Sequence, residues 1–403
     1  MHKDVARRYS SIEALIRDID HYLAGEPLEA RPDTLTYTLG KFVGRHRLAL
    51  SAAALTLAVV MGTVGFYTIQ LRRARNAAQA ESGRTQRIQR FMLDLFAGGD
   101  AETGPADDLR VVSLLDRGVQ EARALNSDPA VQAELYGTLG GLYQKLGKLH
   151  KADALLRASL DRRKALYGPD NAEVAKGLVA LGLLRADQAR YDEAERDIRA
   201  GLAMSKRHLS PNHPQVAKAT FALGMVLEDR GEYAQAIAEL EKSVRIQFAS
   251  GAPDQELAAS MSELANSNFY AGHLDTSDFL NRRVLEMHQR LYGDRHPLVA
   301  DTLINLGAIA SERGNYAEAE KSDRQALEIN QAWYGRDHPE TASDLSILGR
   351  TLVYEHRYAE AGALLERALE IQERVYGNVH PRVASALNEL GKVAEKEGKL
   401  DQA

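Results

Sequence analysis

From Gly168 to the C-terminus, apolar positions fall at three- and four-residue spacing in blocks separated by Gly- and Pro-containing links, and the blocks repeat every 42 residues. One unit, from Pro297 to His338, shows what each contains. Pro297 suits a first helical turn, where its missing N–H costs nothing and its φ is already helical. Val299, Ala300, Leu303, Leu306, Gly307 and Ile309-Ala310 then make one face of a helix. Gly314-Asn315 breaks it. Tyr316, Ala319, Ala326, Leu327 and Ile329 mark a second helix that ends near Tyr334-Gly335, and Gly335 suits a left-handed C-terminal cap. The unit is an antiparallel helix pair, and the small residues Gly307 and Ala319 predict a close approach within it.

Two markers keep the same period. Tyr292-Gly293-Asp294-Arg295-His296-Pro297 recurs as Tyr334-Gly335-Arg336-Asp337-His338-Pro339 and as Tyr376-Gly377-Asn378-Val379-His380-Pro381. Gly140, Gly182 and Gly224, then Gly307, Gly349 and Gly391, step by the same 42 residues, with Ala265 in the slot between the two series. The pattern weakens around Phe248–Ala271, where Gly251-Ala252-Pro253 replaces the usual link and one residue is missing. These slots predict seven first helices. A hairpin cannot bury both its faces alone, so a repeat of this length predicts a stacked solenoid stabilised by neighbour contacts. The chain stops where a seventh second helix would start, which reads as a truncated record.

The N-terminal part is patterned differently. Residues 1–30 read as a short amphipathic helix with Ile12, Leu15, Ile16, Ile19 and Leu23 on its apolar face. Ser10-Ser11 stands as the N-cap, and Gly25 and Pro27 as the stop. Residues 31–47 read as a linker. Leu48 to Leu71 carries no charge and spans about 36 Å as a helix, enough for a hydrocarbon core of about 30 Å. Arg45 and Arg47 before it and Arg72, Arg73 and Arg75 after it bound the run sharply, which favours a membrane span over a buried core helix. Residues 72–128 read as a polar helix with Ile88, Phe91, Met92, Leu95 and Phe96 in a stripe, a Gly/Pro linker over Ala97–Asp108, and a cap helix from Val111 to Leu125.

Charge and composition narrow the chemistry. Residues 1–100 hold 14 Lys/Arg against 10 Asp/Glu, whereas the remainder holds 37 against 46. The array is thus acidic and a poor surface for nucleic-acid phosphates. There is no cysteine, which excludes disulfides, thiolate metal sites and thiol catalysis. His213, His296, His338 and His380 invite a metal or acid/base reading. They come one per repeat, though, and stacked hairpins hold them about 10 Å apart, the scale of helix packing. They are expected as link residues that precede a helix. The pairs Glu193/Glu195 and Glu318/Glu320 are expected on solvated helix surfaces. No catalytic or metal constellation and no cofactor motif stands out.

The Leu-Gly of the first helix and the Tyr-x-Glu-Ala of the second resemble tetratricopeptide repeats, and the 42-residue period with its Tyr-Gly-x-x-His-Pro link resembles the longer, kinesin-light-chain type. The resemblance runs over residues 129–403, about six and a half units. It implies an all-α superhelical solenoid whose concave face, lined by first helices, takes a protein or peptide. In that family asparagines of the first helices grip the peptide backbone, which by resemblance assigns the role to Asn305 and Asn388. These two occupy adjacent positions of the motif, so at most one register fits the family at both, and Ser346, Ala222 and Glu263 interrupt the series.

Asp4-Val5-Ala6-Arg7-Arg8-Tyr9-Ser10-Ser11, with Leu15, Asp18-Ile19 and Tyr22-Leu23-Ala24-Gly25-Glu26-Pro27, resembles the last helix of a bacterial serine/threonine protein kinase domain. Val5 stands where the family has proline, and Arg8 matches an arginine that pairs there with an activation-segment glutamate. The chain has no Ala-Pro-Glu, glycine-rich loop, His-Arg-Asp or Asp-Phe-Gly, so no enzyme is expected in it. The order of parts resembles membrane-anchored bacterial kinases with tetratricopeptide extensions. Flanking charge slightly favours a cytoplasmic C-side, but the kinase resemblance requires a cytoplasmic N-side. It therefore implies an inner-membrane protein with extracytoplasmic repeats. The alternative is a non-enzymatic scaffold, membrane-anchored or soluble.

Overall fold

The computed structural model describes residue 9 and residues 11–30, 34–97, 111–125 and 128–399, with backbone alone for 35, 38, 41, 45, 73, 74 and 76–97. Among the described residues there are seventeen helices and no strand. The chain divides into two compact units, Met1–Met92 and Leu93–Ala403.

In the first unit, α1 (Ile12–Ala24) starts on Ser11, whose Oγ accepts the Ala14 N–H at 3.2 Å, and ends on Gly25 in the left-handed region. Asp18 is buried although it lies on a short surface helix. Its carboxylate accepts the N–H groups of Glu29 at 2.5 Å and Ala30 at 3.0 Å and the Tyr9 hydroxyl at 3.0 Å. Those hydrogen bonds hold its pKa below the usual carboxylate value despite burial. The apolar residues Ile12, Leu15, Ile16, Ile19 and Leu23 are all exposed. The stretch expected as a linker contains a helix, α2 (Leu35–Arg45), because its residues keep a helical period and lack proline. One residue later α3 (Arg47–Ala97) begins and runs unbroken through the expected span and the polar helix beyond it. Its portion Arg47–Arg72 has mean hydropathy 2.0 and none of it is buried, so it is long and apolar enough to cross a membrane. Asp4–Arg8 and Ser10 of the kinase-like motif, the linker residues 98–110 and the terminal residues 400–403 lie outside the described residues, as do the side chains of the expected stripe from Ile88 to Phe96.

The second unit opens with α4 (Val111–Ala124), which packs against the start of the array. Leu115, Val119 and Ala122 are buried, Asp116 accepts the Tyr143 hydroxyl at 2.6 Å, and Gln132 donates to the Ala122 carbonyl at 2.8 Å. Six hairpins follow: α5 (Pro129–Lys145) with α6 (Leu149–Tyr167), α7 (Ala172–Asp187) with α8 (Tyr191–His208), α9 (Pro214–Asp229) with α10 (Tyr233–Ser250), α11 (Asp254–Tyr270) with α12 (Leu274–Tyr292), α13 (Pro297–Glu312) with α14 (Tyr316–Tyr334) and α15 (Pro339–Tyr354) with α16 (Tyr358–Tyr376). The seventh first helix is α17 (Pro381–Lys396).

The periodic glycines Gly140, Gly182, Gly224, Gly307 and Gly349 are each a point of contact between the two helices of a hairpin. A Cβ at Gly182 would stand 2.5 Å from Ile198 Cγ1, at Gly224 2.6 Å from Leu240 Cγ, and at Gly349 2.8 Å from Leu365 Cγ. At Gly307 it would meet Asp323 Oδ1 at 2.5 Å and the Ala319 carbonyl at 3.5 Å. The period therefore marks where a second-helix side chain keys into a first-helix backbone. Gly335 takes a positive φ as expected, but with an extended ψ (95°, 163°), not the left-handed helical cap. That corner of backbone space is open essentially to glycine alone. The irregular link differs here: Gly251 is the one with a left-handed helical cap (65°, 40°).

Candidate functional site

Contacts that skip one helix in the chain join first helices: α5 meets α7, α7 meets α9, α9 meets α11, α11 meets α13 and α15 meets α17. Closer spacing on that side makes it the inner face of the curve. Polar ties cross it at most steps. Lys176 bonds Glu134 at 2.6 Å, Gln144 donates to Asp187 at 2.7 Å, Lys218 pairs with Glu256 at 3.1 Å, and Arg382 reaches Glu340 and Ser343 at 3.3 and 3.1 Å.

The two asparagines assigned to peptide binding both lie on first helices, but the structure does not bring them together. Asn305 is half-buried on α13 and donates to Asn266 Oδ1 of α11 at 3.4 Å, so it sits on the inner face. Asn388 is exposed on α17, two first helices further on and one register position out of step. Sequence reasoning missed the carboxylates beside Asn266. Glu228 at the end of α9 accepts the Ser267 hydroxyl of α11, and burial pushes its pKa up to about 7. Asp229 is raised by burial and by Asp187, and Glu263 by burial. The available signal was their place two to five residues from the periodic glycine or alanine.

The histidines are resolved by geometry. In His213, His296, His338 and His380 the ring Nδ1 accepts the backbone N–H two residues on, at 3.1 to 3.2 Å, and so caps α9, α13, α15 and α17. Three of them stack on the tyrosine of their own link: Tyr292 on His296 at 4.5 Å, Tyr334 on His338 at 4.5 Å and Tyr376 on His380 at 4.2 Å. Their recurrence follows from helix initiation. Among the described residues no group of three or more His, Asp or Glu side chains is placed to hold a metal. The glutamate pairs are more than solvated surface. Glu195 pairs with Arg199 at 2.7 Å and with Arg230 of the next hairpin at 2.9 Å. Glu320 pairs with Arg324 at 2.7 Å and with Arg357 of the next hairpin at 2.8 Å.

A solenoid of helical hairpins with an inner face of first helices is a binding architecture. The tetratricopeptide repeat model matches residues 131–207, 173–247, 256–332, 305–361 and 345–403, and the chain belongs to that family. Its repeats form a protein–protein interaction module of a fold that is typically non-catalytic. The chain is similar to the crystal structure of BtubC (BKLC) from P. vanneervenii, with 21% identity, 58% of this chain and 94% of that one covered, and a TM-score of 0.49. It is similar to a Rap protein complexed with competence and sporulation factor, with 13% identity, 78% and 85% covered, and a TM-score of 0.49. It is also similar to a signal transduction ATPase with a tetratricopeptide repeat sensor from Pyrococcus horikoshii, with 12% identity and a TM-score of 0.55. There it covers 76% of its own length and 43% of the other chain. No curated protein matches the chain.

Proposed function

We propose that this chain is a membrane-anchored docking module that holds a protein or peptide segment against its inner face, and that it serves as the sensory or docking part of a serine/threonine protein kinase. The observation that carries the docking reading is the inner face itself, where Asn305, Asn266, Glu228 and Glu263 present amide and carboxylate groups along consecutive first helices. The anchoring reading is supported by Arg47–Arg72, apolar and wholly unburied. The kinase reading is supported by the order of parts: a kinase-tail motif, an apolar helix flanked by arginines, then repeats. It places the N-side in the cytoplasm of a bacterium and the repeats beyond its inner membrane. Asn305 would grip a peptide backbone, and Asn388, one position out of step, would do so only in a different register.

Blotting of native membranes with an antibody to the repeats tests the parentage. A band near the 44.4 kDa of this chain would leave a membrane scaffold without a kinase. A band larger by a catalytic domain supports the kinase reading. Release of the protein by alkaline wash without detergent would sink the anchoring. For docking, Asn305→Ala is expected to weaken a captured peptide several-fold, and unchanged affinity would remove Asn305 from the site.

A further inference from the structure

We propose that α2 lies along the surface of the bilayer that α3 crosses, as an interfacial helix docked on anionic lipid headgroups. The inference rests on the membrane-span reading. Its starting point is a short helix whose apolar residues are exposed. α2 has 11 residues, and isolated helices shorter than about 12–15 residues are marginal in water. It needs a surface, and its apolar residues are free to meet one. Leu39, Phe42 and Val43 are 58%, 54% and 49% exposed. At 100° per residue, positions 35, 39, 42 and 43 share an arc of about 100°. Positions 40, 41, 44 and 45 fall on the other side of the helix, and Thr36 sits at the edge of the arc.

Two observations choose the bilayer as occupant. The first is continuity: only His46, whose ring lies 4.7 Å from that of Phe42, separates α2 from the apolar helix. A helix tied one residue from a membrane span is held at the lipid–water boundary. The second is charge. No Asp or Glu occurs between Asp33 and Glu81, whereas Lys41, Arg45 and Arg47 fall together before the span. Basic positions on the polar side of a helix with an apolar stripe suit an interfacial helix on anionic lipid. The contrast with α1 sharpens the choice. α1 also exposes apolar residues, but it carries Glu13, Asp18 and Asp20 and ends further from the span.

The chain has no cysteine, so single spin labels can be placed on it. Labels at Thr36→Cys, Leu39→Cys, Gly40→Cys, Phe42→Cys, Val43→Cys and Gly44→Cys would be read in vesicles of phosphatidylcholine with and without phosphatidylglycerol. Collision with oxygen and with a water-soluble nickel chelate is the measurement. With phosphatidylglycerol, labels at 39, 42 and 43 are expected to be several-fold less exposed to nickel and richer in oxygen contact than those at 40 and 44, with 36, at the edge of the arc, between the two. That contrast should shrink without the anionic lipid, and with Lys41→Gln and Arg45→Gln combined. Equal nickel exposure at all six sites overturns the proposal, and so does a shielded face indifferent to phosphatidylglycerol. Labels shielded from both reagents would put a protein on this face and also overturn it. A seventh label, Val60→Cys, separates the two failures. If 60 is shielded while 39 and 42 are exposed, only the α2 proposal falls. If 60 is exposed to nickel, the membrane reading falls with it.

Discussion

The third and sixth hairpins, α9–α10 and α15–α16, share one backbone design with the fifth, α13–α14, yet key it with opposite chemistry. Sixteen residues after the periodic glycine, the first two place Leu240 and Leu365, fully buried. The fifth places Asp323, 2% exposed, against Gly307 in the same position. Asp323 Oδ2 accepts the Thr351 hydroxyl at 2.7 Å, and Oδ1 has no partner. The fourth hairpin is intermediate. Asn281 fills the slot, donates to the Ser277 carbonyl at 3.0 Å, and leaves Oδ1 unpaired. The glycine thus sets how closely the helices approach, and the side chain that fills the slot sets how strongly the pair is held. Because a solenoid's stability is a sum over local units and interfaces, its middle is the weaker part.

Leu365→Asp would break the comparison most severely. It places an unpaired carboxylate in a hairpin without the Thr351-like donor that Asp323 uses, and changes of this kind exceed about 4 kcal/mol. The expected result is loss of α15–α17 from the cooperative helical signal in denaturant, with α5–α10 retained. A single shifted transition that keeps its full amplitude would show that the sixth hairpin accommodates the charge. The reciprocal change, Asp323→Leu, is expected to stabilise by about 1–3 kcal/mol, since a buried unpaired polar group is removed and the space already accepts leucine elsewhere. A destabilised Asp323→Leu protein would make Thr351–Asp323 a contact the fold depends on.

Titration sharpens the same contrast. Burial pushes the Asp323 carboxyl up to about 6 and the Asp344 carboxyl, beside Asn330 and near Asp301 and Glu340, up to about 7. A folded-state pKa above the unfolded value contributes stability that is fully present below the unfolded pKa and is lost as pH rises through the folded one. These two groups therefore favour the fold near pH 4 and stop doing so by about pH 7, a change of about 2–3 kcal/mol for each. Surface carboxylates paired with arginine, such as Glu320 and Glu360, run the other way, so the measurement is a difference. The stability gained in Asp323→Leu should grow between pH 4 and pH 7. A gain that does not change with pH would mean that Asp323 is not titrating in the folded core.

Much of this was visible in the sequence. The proline, glycine and Tyr-Gly-x-x-His-Pro markers place the helix starts from α9 to α17 because each marks a backbone requirement, and such requirements act locally. The glycine phase also placed the hairpin contact. Asn281 and Asp323 were legible only as departures from Ile198, Leu240 and Leu365. Period alone cannot say that a departure is buried, because that depends on the facing glycine or alanine sixteen residues away. The inner-face carboxylates Glu228 and Glu263 were hidden for the same reason: on a linear chain they look like any acidic helix surface. Of the two asparagines, Asn305 falls where first helices meet, whereas Asn388 was chosen by a motif position one step out of register. The helix at α2 was missed because its two glycines and two threonines look like a linker when apolar spacing is read over so few residues.

The smallest predicted effect separates the regular links from the irregular one. His338 caps α15 through Nδ1 and stacks on Tyr334, whereas α11 begins at Pro253 with no side-chain cap. His338→Ala removes both contacts and is expected to cost about 1 kcal/mol, the usual worth of a lost N-cap. His338→Asn restores a capping oxygen without the ring. If it recovers most of the loss in denaturant midpoint, the acceptor is what the repeat requires at this position. If it is as unstable as His338→Ala, the stack on tyrosine carries the effect, and the recurrence of Tyr with His four residues later reflects ring packing. The second outcome would also explain why the irregular link, which has neither ring, ends on a left-handed Gly251 and not on the extended glycine found beside every stacked pair.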